Sequence, residues 1–163
     1  MKYKRRKFFL ALCALLTAIM VIACGSAPAK ESRSLGDGVA IDAANAQLAK
    51  VPVVGFPPFT TKMPITQFDQ YGENAATVAK TVIASMPEGY LLQIVGHANQ
   101  HPSKSAAFTK SLSTQRAKYV YTYFVSKGID KNKMTYTGVG SSEPDPNLSH
   151  SDNRRVTFKL IKK

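Results

Sequence analysis

The chain has 163 residues, with 22 Lys and Arg against 10 Asp and Glu, so its formal charge at pH 7 is +12. Its length suits one domain, or one domain with a tail, since domains usually run to roughly 100–200 residues. Ten Gly, nine Pro and 44% hydrophobic residues exclude a collagen-like or wholly disordered chain, and two Cys are too few for a disulfide scaffold or a zinc ribbon.

The N-terminus has the layout of a secretory signal peptide. Five of the first seven residues are basic, and an apolar or small stretch follows over residues 8–23. This stretch is shorter than the roughly 20 apolar residues that a spanning helix needs, although an uncleaved membrane anchor is the alternative. It ends at Val21-Ile22-Ala23-Cys24, which resembles the bacterial lipobox. The resemblance implies that residues 1–23 are a lipoprotein signal peptide and that lipid is attached to Cys24.

Removal of residues 1–23 changes what the charge implies. It takes away five basic residues and no acidic one, so the mature chain would carry +7. Cys13 would leave with the signal peptide and Cys24 would be acylated, which leaves no thiol for a disulfide or for catalysis. Several acyl chains are needed for a stable anchor, because a single chain binds membranes only marginally. We therefore expect an exported, membrane-anchored protein with no nucleic-acid partner.

Residues 24–50 are predicted to form a lipidated flexible tether, because they are rich in Ala, Ser, Gly and Lys and show no sustained period. A short helix over residues 39–48 is the alternative, but its apolar positions are mostly Ala. Residues 51–163 are assigned to the folded domain. The domain begins with residues 51–59, which are apolar with three Pro and suit an extended lead-in segment better than a central strand.

Helical and strand periods then alternate along the domain. Apolar spacing predicts a helix over residues 73–86 and a second helix that begins near residues 105–112 and ends at Gly128. Short apolar or alternating runs predict three strands, over residues 90–95, 134–139 and 155–161. Together with the extended lead-in, this order predicts an α/β chain of the α+β type, a two-layer sandwich with helices on one face of a mixed sheet.

Four short motifs, in this order, resemble those of the OmpA-like peptidoglycan-binding domain. They are Gly96-His97, then Leu112-Ser113 with Arg116-Ala117, then Ser126-Lys127-Gly128-Ile129, and finally Asn153-Arg154-Arg155-Val156. The stretch from Gly138 to Pro144 is similar to a turn of the same family, and the resemblance covers roughly residues 60–161. It implies a periplasmic module without enzyme activity or cofactor. Such a module binds the stem peptide of peptidoglycan, usually at diaminopimelate, and ties the outer membrane to the wall.

The resemblance also implies a ligand site made of an acid and an arginine. Diaminopimelate carries an ammonium group and carboxylates, for which a carboxylate and an arginine provide strong charge-assisted pairs. The arginine is present as Arg116, on one apolar helical face with Val120 and Phe124. An arginine that covers apolar surface with its stem is the alternative. Asn99 stands where the family has aspartate, so the ligand is a different diamino acid, the binding is weak, or the module has become structural.

The last motif supplies further candidates. Strand parity turns Arg154 inward and Arg155 outward, so Arg154 is either a ligand residue or a scaffold residue. Asn153 is expected to hold the adjoining turn with its side chain. The candidate ligand-binding set is His97, Asn99, Arg116, Asn153 and Arg154.

Other chemistry has little support in the sequence. His97 and His101 have a spacing found in metal sites, but Gly96 and Pro102 argue for a loop, and Ala98 occupies the position of the zinc-protease glutamate. The mature chain has no nucleophile motif of the Gly-x-Ser-x-Gly or Ser-x-x-Lys type. The sequence favours an outer-membrane lipoprotein that binds peptidoglycan non-covalently. The alternative is a structural or interaction module with envelope proteins as partners.

Overall fold

The computed structural model describes residues 35–163; the signal peptide, Cys24 and the first part of the predicted tether lie outside the described residues. The helices are α1 (Leu35–Leu48), α2 (Ile65–Ser85) and α3 (Ala106–Ser126), and the strands are β1 (Tyr90–Gly96), β2 (Met134–Gly138) and β3 (Val156–Lys162). A single 3₁₀ turn precedes β2. Within this range no helix combines the length and apolar character that crossing a membrane requires.

The sheet has the order β2-β1-β3 and is mixed, as predicted. β1 is central and pairs parallel with β2 and antiparallel with β3, so that Leu92 lies opposite both Met134 and Leu160. The lead-in segment adds one antiparallel bridge, in which the amides of Val53 and Val156 donate to each other's carbonyls at 3.0 and 2.8 Å. It forms no strand of its own, which agrees with its three prolines, and its backbone turns at Gly55 and Phe59, where φ is 82° and 58°.

The core lies between the helices and the sheet. Alternate residues of β1 and β3 are buried, and the ring of Phe124 on α3 stacks on Phe158 of β3 at 5.4 Å between centroids. From α2, Phe68 packs against Tyr119 and Tyr123 of α3, both at 4.7 Å. The expected α+β architecture is therefore confirmed.

Helix α1 occupies residues for which the sequence predicted a flexible tether, and the prediction is wrong for residues 35–48. The side-chain oxygen of Asn45 accepts the backbone N–H of Leu160 at 2.8 Å, and Leu48 is fully buried. Ile41 and Ala44 also pack against the core. A few tertiary anchors and alanine's high helix propensity therefore order this segment without a regular apolar face.

Helix α2 begins eight residues before the predicted start, directly after Pro64. Its first two turns mix Gln, Asp and Gly with the apolar residues, and this mixture hid the helical period. Phe68 and Gly72 of these turns are nevertheless buried. Helix α3 has the expected ends. The Ser105 side chain caps its first turn by accepting the N–H of Phe108, and Gly128 has the positive φ of 82° that suits glycine after a helix.

Helix α3 lies unusually close to the sheet at Gly96 and Gly138, which pair in register at the carboxyl ends of β1 and β2. A Cβ atom at Gly96 would lie 1.9 Å from the carbonyl oxygen of Ser113, and one at Gly138 would lie 2.2 Å from the backbone nitrogen of Thr114. The buried hydroxyl of Ser113 accepts the N–H of Gly140 at 2.9 Å. This contact, the glycine seam, positions the following turn of α3 and its arginine.

Candidate functional site

A cleft of about 300 Å³ opens at the end of the sheet where β1 and β2 finish and β3 begins. Its walls come from the lead-in loop at Pro58 and Phe59, the loop after β1, the first two turns of α3, and the loop before β3. Asn99, Arg116 and Arg154, three of the predicted ligand residues, all line it. The fold thus brings these residues, far apart in sequence, to one place.

Arg116 forms the floor of this cleft and is completely buried. Its Nε donates to the Thr60 carbonyl at 2.9 Å, Nη1 to the His97 carbonyl at 3.1 Å, and Nη2 to the Pro57 carbonyl at 2.9 Å. The guanidinium also lies 5.3 Å from the centre of the Phe56 ring. Arg116 therefore fixes the lead-in loop to the end of β1. This role goes beyond the alternative considered from the sequence, in which the stem of the arginine only covers apolar surface.

The charge of Arg116 has no carboxylate partner among the described residues, because its bonds all go to backbone carbonyls. Burial, and secondarily the neighbouring Arg154, lower its pKa to about 10, so it remains charged at pH 7. Carbonyl dipoles satisfy three of its five N–H donors without neutralising the charge. A buried, uncompensated cation of this kind gives the cleft a positive floor.

Arg154 supplies the accessible cation of the cleft. Its Nε donates to the Phe56 carbonyl at 2.5 Å and its Nη1 to the His150 carbonyl at 3.3 Å, and the residue is half-buried. No described residue accepts a hydrogen bond from its Nη2. A planar guanidinium with one nitrogen still uncommitted is suited to bind a carboxylate.

Asn99 lies on the cleft wall with its amide already engaged. Its Nδ2 donates to the His150 carbonyl at 2.5 Å, which ties the loop after β1 to the loop before β3. The side-chain oxygen remains as an acceptor, but it carries no charge. Neither Asp nor Glu is among the described residues that line the cleft.

An aromatic cluster forms the mouth of the cleft. The ring of Phe59 meets that of His101 edge-on at 5.1 Å and that of Phe108 at 6.2 Å. Nζ of Lys104 lies over the Phe59 and Phe108 rings, 5.4 and 5.0 Å from their centres. Phe59 has a φ of 58°, which is rare for a bulky residue, and its side chain is 47% exposed. Strained residues of this kind cluster at functional sites.

His97, a predicted ligand residue, does not line the cleft with its side chain. The imidazole lies on the sheet face opposite α3, where Nε2 forms a hydrogen bond with Thr157 Oγ1 at 2.9 Å and Nδ1 is buried without a hydrogen-bonding side chain. Burial, followed by the charge of Arg155, lowers the pKa of His97 to about 4, while the backbone of Glu143 acts in the opposite direction. Only the carbonyl of His97 serves the site, through Arg116.

Asn153 organises the loop before β3, as expected of a turn-holding residue. Its side-chain oxygen accepts the N–H of Asp145 at 2.8 Å, and its Nδ2 donates to the carbonyls of Asp145 and Leu148 at 2.9 and 3.2 Å. It also accepts from Nη1 of Arg155 at 2.8 Å. Asn153 therefore shapes the cleft without lining it.

Arg155 points away from α3 as strand parity predicts, but it is not a solvent-facing residue. It is buried because the loop formed by residues 139–153 folds over that face of the sheet, and its Nη2 donates to the Glu143 carbonyl at 3.4 Å. Burial lowers the pKa of Arg155, and the charges of Asp145 and Glu143 oppose this shift. β3 begins at Val156, so both arginines precede the strand.

The remaining cleft residues were not predicted from the sequence. Phe59, His101, Phe108 and His150 belong to loops or a helix start and carry no motif that marks them. The adjacent prolines before Phe59 were the one available signal of an unusual turn. His101 is exposed on a loop while His97 is buried, and among the described residues no group of three His, Cys, Asp or Glu side chains is placed to hold a metal ion.

Comparison with known families identifies the family of this domain. The sequence profile of the OmpA family matches residues 66–156, more than half of the chain. The chain belongs to the OmpA family. The match includes the glycine seam, Asn99, Arg116 and Arg154, whereas Phe59 and helix α1 lie outside it.

Solved structures of similar fold agree with OmpA-family membership. The peptidoglycan-associated lipoprotein from Burkholderia pseudomallei is 21% identical with a TM-score of 0.55, over 75% of this chain and 99% of that one. The C-terminal domain of Helicobacter pylori MotB is 20% identical with a TM-score of 0.54, covering 69% and 86%. The OmpA-like domain of FopA1 from Francisella tularensis is 20% identical with a TM-score of 0.53, covering 66% and 68%. No curated protein matches the sequence. At these identities the likeness concerns the fold alone.

Proposed function

We propose that this chain is an outer-membrane lipoprotein whose OmpA-family domain binds the stem peptide of peptidoglycan non-covalently and so tethers the envelope to the wall. The observation that carries the proposal is the cleft, where Arg116 and Arg154 line a space that none of the described carboxylates lines. Stem peptides carry carboxylates, and arginine–carboxylate pairs are among the strongest hydrogen bonds in proteins.

Three related observations support the proposed location. Val21-Ile22-Ala23-Cys24 is similar to a lipobox, and the Burkholderia protein of the same fold is named a peptidoglycan-associated lipoprotein. The MotB structures are described as periplasmic domains. Under the proposal, lipid at Cys24 holds the chain to the outer membrane and the domain faces the periplasm. A Cys24→Ser variant is then expected to leave the membrane fraction, whereas retention of that variant in the membrane would contradict lipid anchoring.

Sedimentation with purified sacculi tests wall binding directly. The full-length chain in detergent is expected to pellet with sacculi, and Arg154→Gln should reduce the bound fraction severalfold because it removes the accessible cation. Lys118→Gln is the matched control, since Lys118 is an exposed cation of α3 that does not line the cleft. If wild type and both variants remain equally in the supernatant, wall binding through this cleft is wrong.

The proposed role is non-catalytic. We assign binding to residues that line the cleft, and no bond-breaking step to any of them. Incubation of the purified chain with sacculi is therefore expected to release no soluble wall fragments. Release that depends on the presence of the protein would contradict this part of the proposal.

A structural or protein-interaction module is the second candidate. It is favoured by the commitment of the Arg116 guanidinium to three backbone carbonyls, because a group so engaged stabilises loops whether or not a ligand is present. This candidate predicts that the chain does not bind sacculi and is captured with a specific envelope protein after cross-linking in cells. Cross-links that contain only wall material would count against it.

A further inference from the structure

We infer that the cleft recognises a carboxylate carried on an apolar body and gains nothing from an ammonium group beside it, an inference that rests on the proposed binding of stem peptides. The chemistry of the lining determines this preference. A ligand with both charges offers its carboxylate and its ammonium to the same small space, and the lining is able to match only one of them.

Among the described residues, the two charged arginines that line the cleft are both cationic: Arg116 forms the floor and Arg154 stands in the wall. The ammonium group of Lys104 adds a third positive charge over the Phe59 and Phe108 rings. The first turns of α3 line the same space at Phe108 and Thr109, and the start of a 21-residue helix adds a positive dipole end. An ammonium group placed here would be repelled, whereas a carboxylate would be attracted.

Asn99 does not compensate for the missing acid. One N–H of its side-chain amide is held by the His150 carbonyl, and the acceptor that it offers to a ligand is a neutral oxygen. A neutral acceptor forms a weaker bond to an ammonium group than a carboxylate does, and the desolvation of that group opposes binding. Arg154, in contrast, has its Nη2 uncommitted for the ligand carboxylate.

The mouth of the cleft provides the apolar surface. Phe59 and Phe108 form a wall with His101, and Phe59 is held there with a left-handed backbone in spite of the strain. Phe59 and Phe108 both line the cleft, where their rings offer contact to methylene or methyl groups of a ligand, and Nζ of Lys104 lies over both rings. The preferred ligand therefore combines a carboxylate with an aliphatic stem.

Three forms of one synthetic ligand measure the contributions of its carboxylates and its ammonium group separately. A stem tripeptide ending in diaminopimelate is titrated into the full-length chain in detergent micelles by calorimetry, either unmodified, acetylated on the side-chain amine, or amidated on the diaminopimelate carboxylates. We expect amidation to weaken binding by about tenfold or more and acetylation by less than about twofold. Acetylation that weakens binding as much as amidation would overturn the inference and leave the proposed function standing.

The substitution Asn99→Asp provides the converse test. It replaces an amide by a carboxylate of nearly equal size, and we expect the variant, unlike the wild type, to prefer the free amine over the acetylated form by at least about threefold. Thermal unfolding of the variant checks its fold, and if it does not fold, the peptide series on the wild type alone decides. If no peptide form binds while sacculi still sediment, the inference alone is wrong. If sacculi also fail to sediment, both proposals are wrong.

Discussion

The glycine seam and the cleft are neighbours on α3, but different properties of the sequence specify them. At the seam, residue size decides the structure, because the missing side chains of Gly96 and Gly138 let α3 approach the sheet to backbone contact. At the cleft, Arg116 depends on the directions of three backbone carbonyls in two loops. Size can be seen in a sequence, whereas the directions of loop carbonyls cannot.

A second difference lies within the cleft itself. Arg116 and Arg154 both belong to motifs that resemble the family, yet the first is sealed under the floor and the second is half-buried. We therefore assign loop positioning mainly to Arg116 and direct ligand contact mainly to Arg154. The following substitutions test these two distinctions.

The largest effect is expected at the seam. Gly96→Ala would place its Cβ 1.9 Å from a backbone oxygen that cannot rotate away, so α3 must shift. We expect a loss of at least about 3 kcal/mol in the free energy of unfolding, measured by urea denaturation. Gly38→Ala is the control, because Gly38 in α1 has no atom within 4 Å of the added Cβ. The control should be neutral or stabilising by about 0.5–1 kcal/mol, and equal losses in both variants would contradict the close packing.

The next largest loss of stability is expected at Arg116, and a smaller one at Arg154. In Arg116→Lys a single ammonium cannot reach three carbonyls, and we expect a loss of about 2–3 kcal/mol because buried acceptors are left unpaired. Arg154→Lys should cost less than about 1 kcal/mol, since Arg154 is half-buried. Urea denaturation of both variants checks this order. A larger loss at Arg154 would reverse the assignment of roles.

The buried His97 predicts how stability depends on pH. Its folded pKa of about 4 lies below the ordinary value of 6.5, so the unfolded chain takes up a proton first as the pH falls. This contribution to stability is fully present above pH 6.5 and is lost as the pH falls toward 4. Between about pH 8 and 5 it amounts to about 2 kcal/mol.

Two variants isolate this contribution from the pH dependence of the rest of the chain. His97→Gln should unfold with a shallower pH dependence than the wild type over pH 5–7, while His101→Gln, at an exposed position, should match the wild type. Chemical denaturation at a series of pH values measures the difference. An unchanged slope in His97→Gln would show that His97 is not held neutral by burial.

The smallest effect is expected at the surface pair of Glu73 on α2 and Lys127 after α3. A hydrogen bond from Lys127 lowers the pKa of Glu73, but both side chains are well exposed. Glu73→Gln should lower the unfolding temperature less than any substitution above that destabilises the fold, and the difference should vanish when salt is raised from about 0.05 M to about 1 M. A loss in unfolding temperature that persists at high salt would show that this pair is not a surface interaction screened by salt.

Much of the fold was predictable because its signals are local. Three strands and α3 follow from apolar period and end signals, and Gly128 follows the end of α3 as expected. Helix α1 was only the alternative to a flexible tether, because its order comes from tertiary anchors, such as the hydrogen bond between Asn45 and the backbone of β3, rather than from its own pattern. The burial of Arg155 was missed for a related reason, since it depends on the path of the loop that covers it.

The cleft was predictable only in part. Motif resemblance selected Asn99, Arg116 and Arg154, which the fold brings together. It also selected His97, whose ring lies on the other face of the sheet, and Asn153, whose side chain holds the loop before β3 by hydrogen bonds. The aromatic mouth at Phe59 was not foreseen, because a strained backbone and contacts across loops leave no periodic signal.

Nuclear magnetic resonance of the full-length chain in micelles, titrated with soluble peptide fragments of the wall, tests the central claim most directly. We expect saturable shifts in the Nε–H of Arg154, the side-chain amide of Asn99 and the backbone amides of Phe108 and Leu112. A second depression, near Lys50 and Asn74, provides an internal control and should stay silent. Shifts at that depression with none at the cleft, or no saturable shift anywhere, would contradict the cleft as the site of wall binding.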